Sequence, residues 1–237
     1  MPVPESLSSV LNYIWVAVIV GVVAAASYHG FQVERAGTVG FWLWVGTPLV
    51  VLATLGAARA YRDGELRGWL RPIWGDATRG LVSAAALVLA AIAFVHVVAP
   101  VGTSRESWIA RIYLQLGDPT MLHKKAALLA VAVFTVVAAE EILWRGLVTT
   151  LLAEKIGSRS AWVVAAVLYA LASVPTAWAL RDPEAGLNPM LPIASLGVGL
   201  VWGGMGRVTG RLTPAILSHA AFDWCVIVVF RLWGPSL

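Results

Sequence analysis

Charged residues are scarce in this sequence: Asp, Glu, Lys and Arg make up 13% of its 237 residues, whereas hydrophobic residues make up 59%. Soluble globular domains carry about 25% charged residues. A single core in a chain of this length cannot bury so large an apolar fraction, and the mean hydropathy of +0.79 points the same way. The composition therefore excludes a soluble globular domain and predicts a polytopic membrane protein.

Several signatures of soluble enzymes and nucleic-acid-binding proteins are also missing. Cys225 is the only cysteine, so the sequence offers no intrachain disulfide and no cysteine-based metal cluster. The GxSxG elbow of serine hydrolases and the HExxH helix of zinc peptidases do not occur. The arginines lie in connections between apolar runs rather than on one basic face, which predicts contact with lipid head groups and no nucleic-acid partner.

Long apolar runs recur along the chain, each near the roughly 20 residues that a helix needs to cross a bilayer. They predict an all-α fold, a polytopic transmembrane helical bundle of seven to eight spans. The seven runs cover approximately residues 13–30, 39–60, 80–100, 125–153, 161–180, 190–205 and 214–233. The first run is preceded by Glu5 and by no Lys or Arg, which disfavours a cleaved signal peptide. Without repeats or low-complexity linkers, residues 1–237 are expected to form a single membrane domain.

The connections bear on orientation and access. The second connection contains five arginines with Trp69 and Trp74, which favours a cytoplasmic location for it. Four basic residues in the next connection argue against this orientation. We expect an integral multi-pass protein, of the cytoplasmic (inner) membrane in a bacterial host. Residues 101–124 have apolar side chains at helical spacing, which predicts an amphipathic helix in the interface or a lid. Glycines four apart in residues 197–210 predict either close helix packing or a cavity.

The stretch VVAAEEILWRGLV, residues 136–148, places three ionisable side chains in an apolar run. Each costs about 2.5 to 3.5 kcal/mol near a bilayer centre, which demands an explanation. On a helix, Glu141 and Arg145 face each other across four residues, whereas Glu140 is turned about 100° away. An ionised, structural Glu141 and a general base at Glu140 would explain the pattern. An ion-paired packing device and a proton or ion relay are the alternatives.

The last run contains a second constellation, ILSHAAFDWCVIVV, in which His219 and Asp223 are four residues apart on one helix face. A carboxylate one turn away can fix the tautomer of an imidazole, as in hydrolytic sites. The alternative is a packing histidine. Glu140, His219 and Asp223 could together supply three metal ligands, but the zinc-peptidase spacing is absent, so we predict no cofactor and no catalytic metal.

These motifs resemble those of the CPBP intramembrane proteases, which include the type II CAAX prenyl endopeptidases and bacteriocin-processing enzymes. The family's EExxxR motif is present as EEILWRG, residues 140–146, and its third motif, His followed four later by Asn or Asp, as HAAFD, residues 219–223. The run-in TGRLTPAILS is also similar. The resemblance identifies residues 125–230 as a CPBP-like catalytic core region.

One position departs from the family pattern. The second motif is an aromatic residue followed four later by histidine, and here LYALASVPT has Tyr169 followed by Ser173. The resemblance implies that Glu140 activates water, that Glu141 and Arg145 support it, and that His219 and Asp223 form the remaining polar wall. The hydroxyl of Ser173 could donate one hydrogen bond in place of the histidine. His96 or His123 could instead reach into the site, and the alternative is that both are interfacial or packing histidines.

The function predicted in this way is glutamate-dependent hydrolysis of a peptide bond near the C-terminal or leader region of a membrane-associated protein. The resemblance implies prenylated C-termini, leader peptides or hydrophobic sorting tails as substrates, with the lipid bilayer as the other partner. A catalytically inactive scaffold or immunity protein, marked by Ser173, is one alternative. A proton-coupled carrier using Glu140 and Asp223 is another, although inverted repeats are not evident.

Overall fold

The structure of the chain, a computed structural model, describes residues 5–233, with side chains described from residue 10 onward. Within that part of the chain, helices are the only regular secondary structure. In chain order they are α1 (Glu5–Gly30), α2 (Val39–Arg62), α3 (Leu66–Leu70), α4 (Asp76–Val98), α5 (Glu106–Leu116), α6 (Pro119–Lys124), α7 (Ala126–Glu141), α8 (Thr149–Ile156), α9 (Ser158–Ser173), α10 (Pro175–Ala179), α11 (Met190–Thr209) and α12 (Thr213–Trp224). The predicted single domain also included residues 1–4 and 234–237, which lie outside the described residues.

Six helical segments are long and apolar enough to cross a membrane, which confirms the predicted polytopic helical bundle. They are Val10–Gly30, Val39–Arg62, Asp76–Val98, Ala126–Ile156, Ser158–Ala179 and Met190–Thr209. The seventh predicted run forms a shorter apolar helix, Thr213–Val229, and so ends before the predicted boundary at residue 233. Residues 5–233 thus contain six helices of spanning length and one shorter apolar helix, where the sequence predicted seven to eight spans.

The helix that carries the two adjacent glutamates is not α-helical throughout. A π-helical segment, Ile142–Val148, joins α7 to α8, and a second one, Cys225–Val229, extends α12. The side chain of Thr149 donates to the carbonyl oxygen of Trp144, five residues earlier, at 2.8 Å. Short π-helical insertions in α-helices are often found at functional sites, because they redirect side chains that α-helical spacing would place elsewhere.

Helix α5 closes one end of the bundle. The chain order brings the end of α4 and the beginnings of α7 and α11 to the same end as α5. The hydroxyl of Tyr113 on α5 donates to the carbonyl oxygen of Val226 and accepts from the amide of Leu232 at 2.8 Å. Asn188, just before α11, donates to the carbonyl oxygen of Trp108 at 2.9 Å. The predicted amphipathic helix therefore exists and is tied to the last helix and to α11.

The glycines of α11 allow close packing against α9. A Cβ atom added at Gly199 would lie 3.3 Å from the ring of Tyr169, and one at Gly203 would lie 3.4 Å from Trp162. Contacts this tight leave little space for a larger side chain. Trp202 and Val198, on the same helix, line a cavity. Both alternatives predicted for the glycine-rich segment therefore apply. Its glycines pack against α9, and the neighbouring side chains face the cavity.

Candidate active site

Glu140 lies in the last turn of α7 and reaches towards α9. Its Oε2 accepts a hydrogen bond from the hydroxyl of Tyr169 at 3.0 Å. The side chain retains 17% of its accessible surface and lines a cavity. Glu140 is therefore a carboxylate with one fixed partner and one open side, which suits a group that must contact a water molecule.

Glu141 points in a different direction and is fully buried. Its Oε1 meets Nη1 of Arg145 at 3.1 Å, as the four-residue spacing predicts, and also Nδ1 of His219 at 2.8 Å. One carboxylate oxygen thus binds both a guanidinium on its own helix and an imidazole on α12. Because a carboxylate accepts, this contact requires the proton of a neutral His219 to be on Nδ1, which leaves the Nε2 lone pair free.

The Nε2 edge of His219 faces two further carboxylates. It lies 3.7 Å from Oε2 of Glu140 and 3.5 Å from Oδ2 of Asp223. The sequence spacing suggested that Asp223 orients the imidazole, but the short contact at Nδ1 is made by Glu141. Asp223 lies instead at the open edge of the ring, near Glu140. The structure therefore brings five of the six predicted residues, all except Ser173, into one connected set of contacts.

Trp202 completes this set and was missed by the sequence analysis. Its indole stacks on the imidazole of His219 with ring centroids 3.6 Å apart and planes at 19°. Its Nε1 donates to the hydroxyl of Ser218 at 3.1 Å. The guanidinium of Arg145 lies 5.3 Å from the Trp202 ring and 4.8 Å from the Tyr169 ring, at cation–π distance from both. A tryptophan among glycines carries no sequence signal for this position.

Ser173, at the end of α9, has another serine as its neighbour. Its Oγ lies 3.0 Å from Oγ of Ser195 on α11 and 3.2 Å from the carbonyl oxygen of Tyr169. Ser195 was also missed by the sequence analysis. Neither His96 nor His123 lines the cavity, and both are exposed, so neither takes the place of the absent histidine.

A cavity of about 340 Å³ connects these groups. Its polar wall includes Glu140, Tyr169, Ser173, Ser195, His219 and Asp223. Apolar side chains form most of the remainder, and α5 contributes Ile109, Ile112, Tyr113 and Leu116. Glu141 and Arg145 lie behind this wall rather than in it. Within residues 5–233 no group of three or more His, Cys, Asp or Glu residues has a geometry that could hold a metal ion, and the absence of a cofactor stays a prediction.

Fold and site together define a class: a multi-pass helical membrane protein with carboxylates and an imidazole converging on an internal cavity. Residues 122–225 match the family model of type II CAAX prenyl endopeptidases, described as Rce1-like. The matched segment contains every predicted site residue, so the resemblance inferred from the motifs is confirmed for this part of the chain. The helices that precede α6 lie outside the match. The chain has no significant match among curated proteins or solved structures.

Proposed function

We propose that this protein is an intramembrane endopeptidase in which Glu140 activates a water molecule. The observation that carries the proposal is the convergence of Glu140 and His219, 3.7 Å apart, on a largely apolar cavity inside the helical bundle. An extended peptide can be held at membrane depth only where protein surrounds it and satisfies its backbone. The family match of residues 122–225 supports the same class of reaction.

The reaction follows from the roles these groups can take. Glu140 removes a proton from the water as its oxygen bonds to the scissile carbonyl carbon, and the carbonyl π electrons move onto the carbonyl oxygen. When this intermediate collapses, the C=O double bond forms again and the C–N bond breaks. The amine nitrogen takes the proton that Glu140 had removed. The Nε2 lone pair of His219 faces the water beside Glu140 as a hydrogen-bond acceptor. Asp223 provides a second acceptor next to Nε2.

Glu141 and Arg145 act on this chemistry indirectly. The hydrogen bond between Glu141 and Nδ1 fixes the rotation of the imidazole, and Arg145 offsets the charge of Glu141 in a buried setting. A buried carboxylate without such a partner would be strongly destabilising. These two residues therefore hold the His219 ring in place, while Glu140 contacts the reacting atoms.

The substrate we propose is an apolar segment of a membrane-associated protein, near its C-terminus or leader region. The cavity offers mainly aliphatic and aromatic surface next to the polar residues, which suits such a segment. Prenylated C-termini, leader peptides and hydrophobic sorting tails share this chemistry. In a bacterial host the enzyme would lie in the cytoplasmic membrane.

Cleavage assays in membranes test the proposal with a tagged panel of leader peptides, C-terminal tails and prenylated C-termini. Glu140→Gln should reduce cleavage to background, because the amide cannot take the proton, and His219→Gln should lower the rate by about 10² to 10⁴. The matched control is Glu154→Gln: Glu154 pairs with Arg59 outside the cavity, so cleavage should persist. Cleavage by Glu140→Gln at the unaltered rate would contradict the proposal.

Ser173 motivates the rival function, an inactive relative that binds peptides or partner membrane proteins as a scaffold or immunity factor. Ser173→His distinguishes the two. If the unaltered chain cuts nothing in the panel while Ser173→His cuts in a Glu140-dependent manner, the chain is an inactive relative. If the unaltered chain cuts and the activity depends on Glu140, the rival function fails.

A further inference from the structure

Two serine hydroxyls from different helices meet on the wall of the cavity. Ser173 on α9 and Ser195 on α11 have their Oγ atoms 3.0 Å apart, and both line the cavity shared by Glu140 and His219. Both side chains are half-buried. Both serines lie within residues 122–225, the segment that matches the family model, and the match assigns no role to Ser195.

The number of protons on this pair limits what it can do. Two hydroxyls carry two protons, and one proton forms the hydrogen bond between them. In one arrangement Ser195 donates to Ser173, and Ser173 donates to the carbonyl oxygen of Tyr169, 3.2 Å away. In the other, Ser173 donates to Ser195, whose proton is then free to point into the cavity. The pair can thus present either acceptors only or one O–H donor.

Three other donors of the cavity wall, two hydroxyls and one indole N–H, are already engaged. The hydroxyl of Tyr169 donates to Glu140 at 3.0 Å, that of Thr176 to the carbonyl oxygen of Ser173 at 2.7 Å, and Nε1 of Trp202 to Ser218 at 3.1 Å. The two carboxylates of the wall would repel a developing negative charge. The Ser173–Ser195 pair can therefore donate a hydrogen bond into the cavity without breaking the bond between Tyr169 and Glu140.

We propose that Ser195 is a catalytic residue that donates its O–H to the oxyanion of the tetrahedral intermediate, with Ser173 as the positioning residue. This inference rests on the proposed hydrolysis. As the carbonyl π electrons move onto oxygen, the Ser173 proton turns from the Tyr169 carbonyl to Ser195, and the Ser195 proton turns to the oxyanion. These steps exchange hydrogen bonds only, and no covalent bond to either serine forms or breaks. When the C=O double bond forms again, both protons return.

A double-mutant cycle in the membrane cleavage assay tests the pair. Losing an oxyanion donor typically lowers kcat by about 10²-fold or more. We expect Ser195→Ala to lower kcat by about 10² with little change in KM, because the bond is made only in the transition state. Ser173→Ala should cost less, since Ser195 keeps its hydroxyl. The double variant should cost no more than Ser195→Ala, and Ser195→Thr, which keeps the hydroxyl, should recover activity.

Ser27, which lines the same cavity from α1, is the competing donor. Ser83→Ala is the matched control, because Ser83 is a half-buried serine of α4 that does not line the cavity. It should leave kcat unchanged. Unchanged kcat in Ser195→Ala, or equal losses in Ser195→Ala and Ser195→Thr, would overturn the inference, and a larger loss in Ser27→Ala would move the donor to α1. In those cases the cleavage still depends on Glu140 and the proposed function stands. If the unaltered chain cleaves nothing, the proposed function fails and this inference fails with it.

Discussion

At the scale of single residues, the site depends on one oxygen atom. Oε1 of Glu141 accepts from both Arg145 and His219, so the EExxxR motif and the HxxxD motif are coupled through a single carboxylate. The other oxygen of Glu141 and Nη2 of Arg145 are buried without a hydrogen-bond partner in the described structure. The geometry of the imidazole therefore relies on one hydrogen bond in its plane and on the indole of Trp202 stacked above it.

Replacing Trp202 with leucine should release the His219 ring without removing it. The Glu141 bond fixes rotation within the ring plane, but it does not fix the tilt of that plane, which the stacked indole at 3.6 Å does. Misplacing a catalytic group by about 1 Å can cost about 10²-fold, so we expect kcat to fall by roughly 10- to 100-fold with little change in KM. Steady-state kinetics of the membrane cleavage reaction would measure this.

Trp202→Phe should recover part of the loss, because phenylalanine can still stack. Trp162→Leu provides the matched control: it packs between α9 and α11 against Gly203, so it loses similar contact without touching His219. If Trp162→Leu lowers kcat as much as Trp202→Leu does, the effect of Trp202 is general packing and not the position of the imidazole.

The sequence predicted the separate parts of the site but not their joining. Four-residue spacing identified the Glu141–Arg145 pair and put His219 and Asp223 on one face, because helical periodicity is local information. The contacts of His219 with Glu141 and Trp202, and of Ser173 with Ser195, join residues on different helices. They depend on how the helices cross and rotate, which periodicity does not specify. The shift of the orienting role from Asp223 to Glu141 has the same cause.

At the scale of helices, the π-helical segment packs against α3 because Gly146 leaves room for the ring of Trp69. A Cβ atom added at Gly146 would lie 2.6 Å from the ring of Trp69 on α3. The carbonyl oxygen of Trp69 accepts from the amide of Leu212, just before α12, at 2.9 Å. Trp69, which the sequence suggested as an interfacial anchor, is half-buried and links α3, the π-helical segment and the helix of His219.

Gly146→Ala should therefore destabilise the protein through overpacking, by about 1 to 3 kcal/mol. Thermal unfolding in detergent would show a lower Tm, and Trp69→Leu in the same chain should restore part of it by making room. Gly197→Ala in α11 is the matched control, since an added Cβ there meets nothing within 4 Å. An equal loss of Tm in both glycine variants would show that the contact with Trp69 is not the cause.

At the scale of the whole molecule, an ion pair joins α5 to the connection between α10 and α11. Nε of Arg111 donates to Oδ2 of Asp182 at 3.1 Å. Backbone N–H donors of Ala185 and Glu184 lower the pKa of Asp182 to about 2, and Arg111 contributes further. Because the folded pKa lies below the unfolded value of about 3.9, this stabilisation is complete above roughly pH 4 and is lost only as the pH falls towards 2.

Asp182→Asn should loosen the attachment of α5 and so make the cavity more accessible. The increase in access should be the same at every pH in the range in which enzymes are assayed. In a Cys225→Ser background, a cysteine placed at Ile112, which lines the cavity, reports access to a water-soluble maleimide. We expect faster labelling in the Asp182→Asn chain, with the same ratio to the parent chain at pH 6, 7 and 8 after correction for thiol ionisation. A ratio that changes across this range would contradict the assigned pKa.

The polytopic helical bundle was the most predictable feature of the whole molecule, since hydropathy depends on composition alone. The end of the last segment was less predictable: the expected boundary was residue 233, but the helix ends at Val229 and the amide of Leu232 donates to the hydroxyl of Tyr113. Hydrogen bonds of Tyr113 on α5 to Val226 and Leu232 hold this end of the chain. They involve residues far apart in the sequence, so a window of hydropathy does not register them.

The bundle of six long helices and the shorter apolar helix Thr213–Val229 has two unlike ends. The arginine-rich connection between α2 and α4 lies at the end opposite α5. With that connection in the cytoplasm, as its charge predicts, the cavity lies nearer the outer leaflet. Under the proposed function, the peptide bond would then be cut away from the middle of the bilayer, which leaves two membrane-embedded pieces of unequal length.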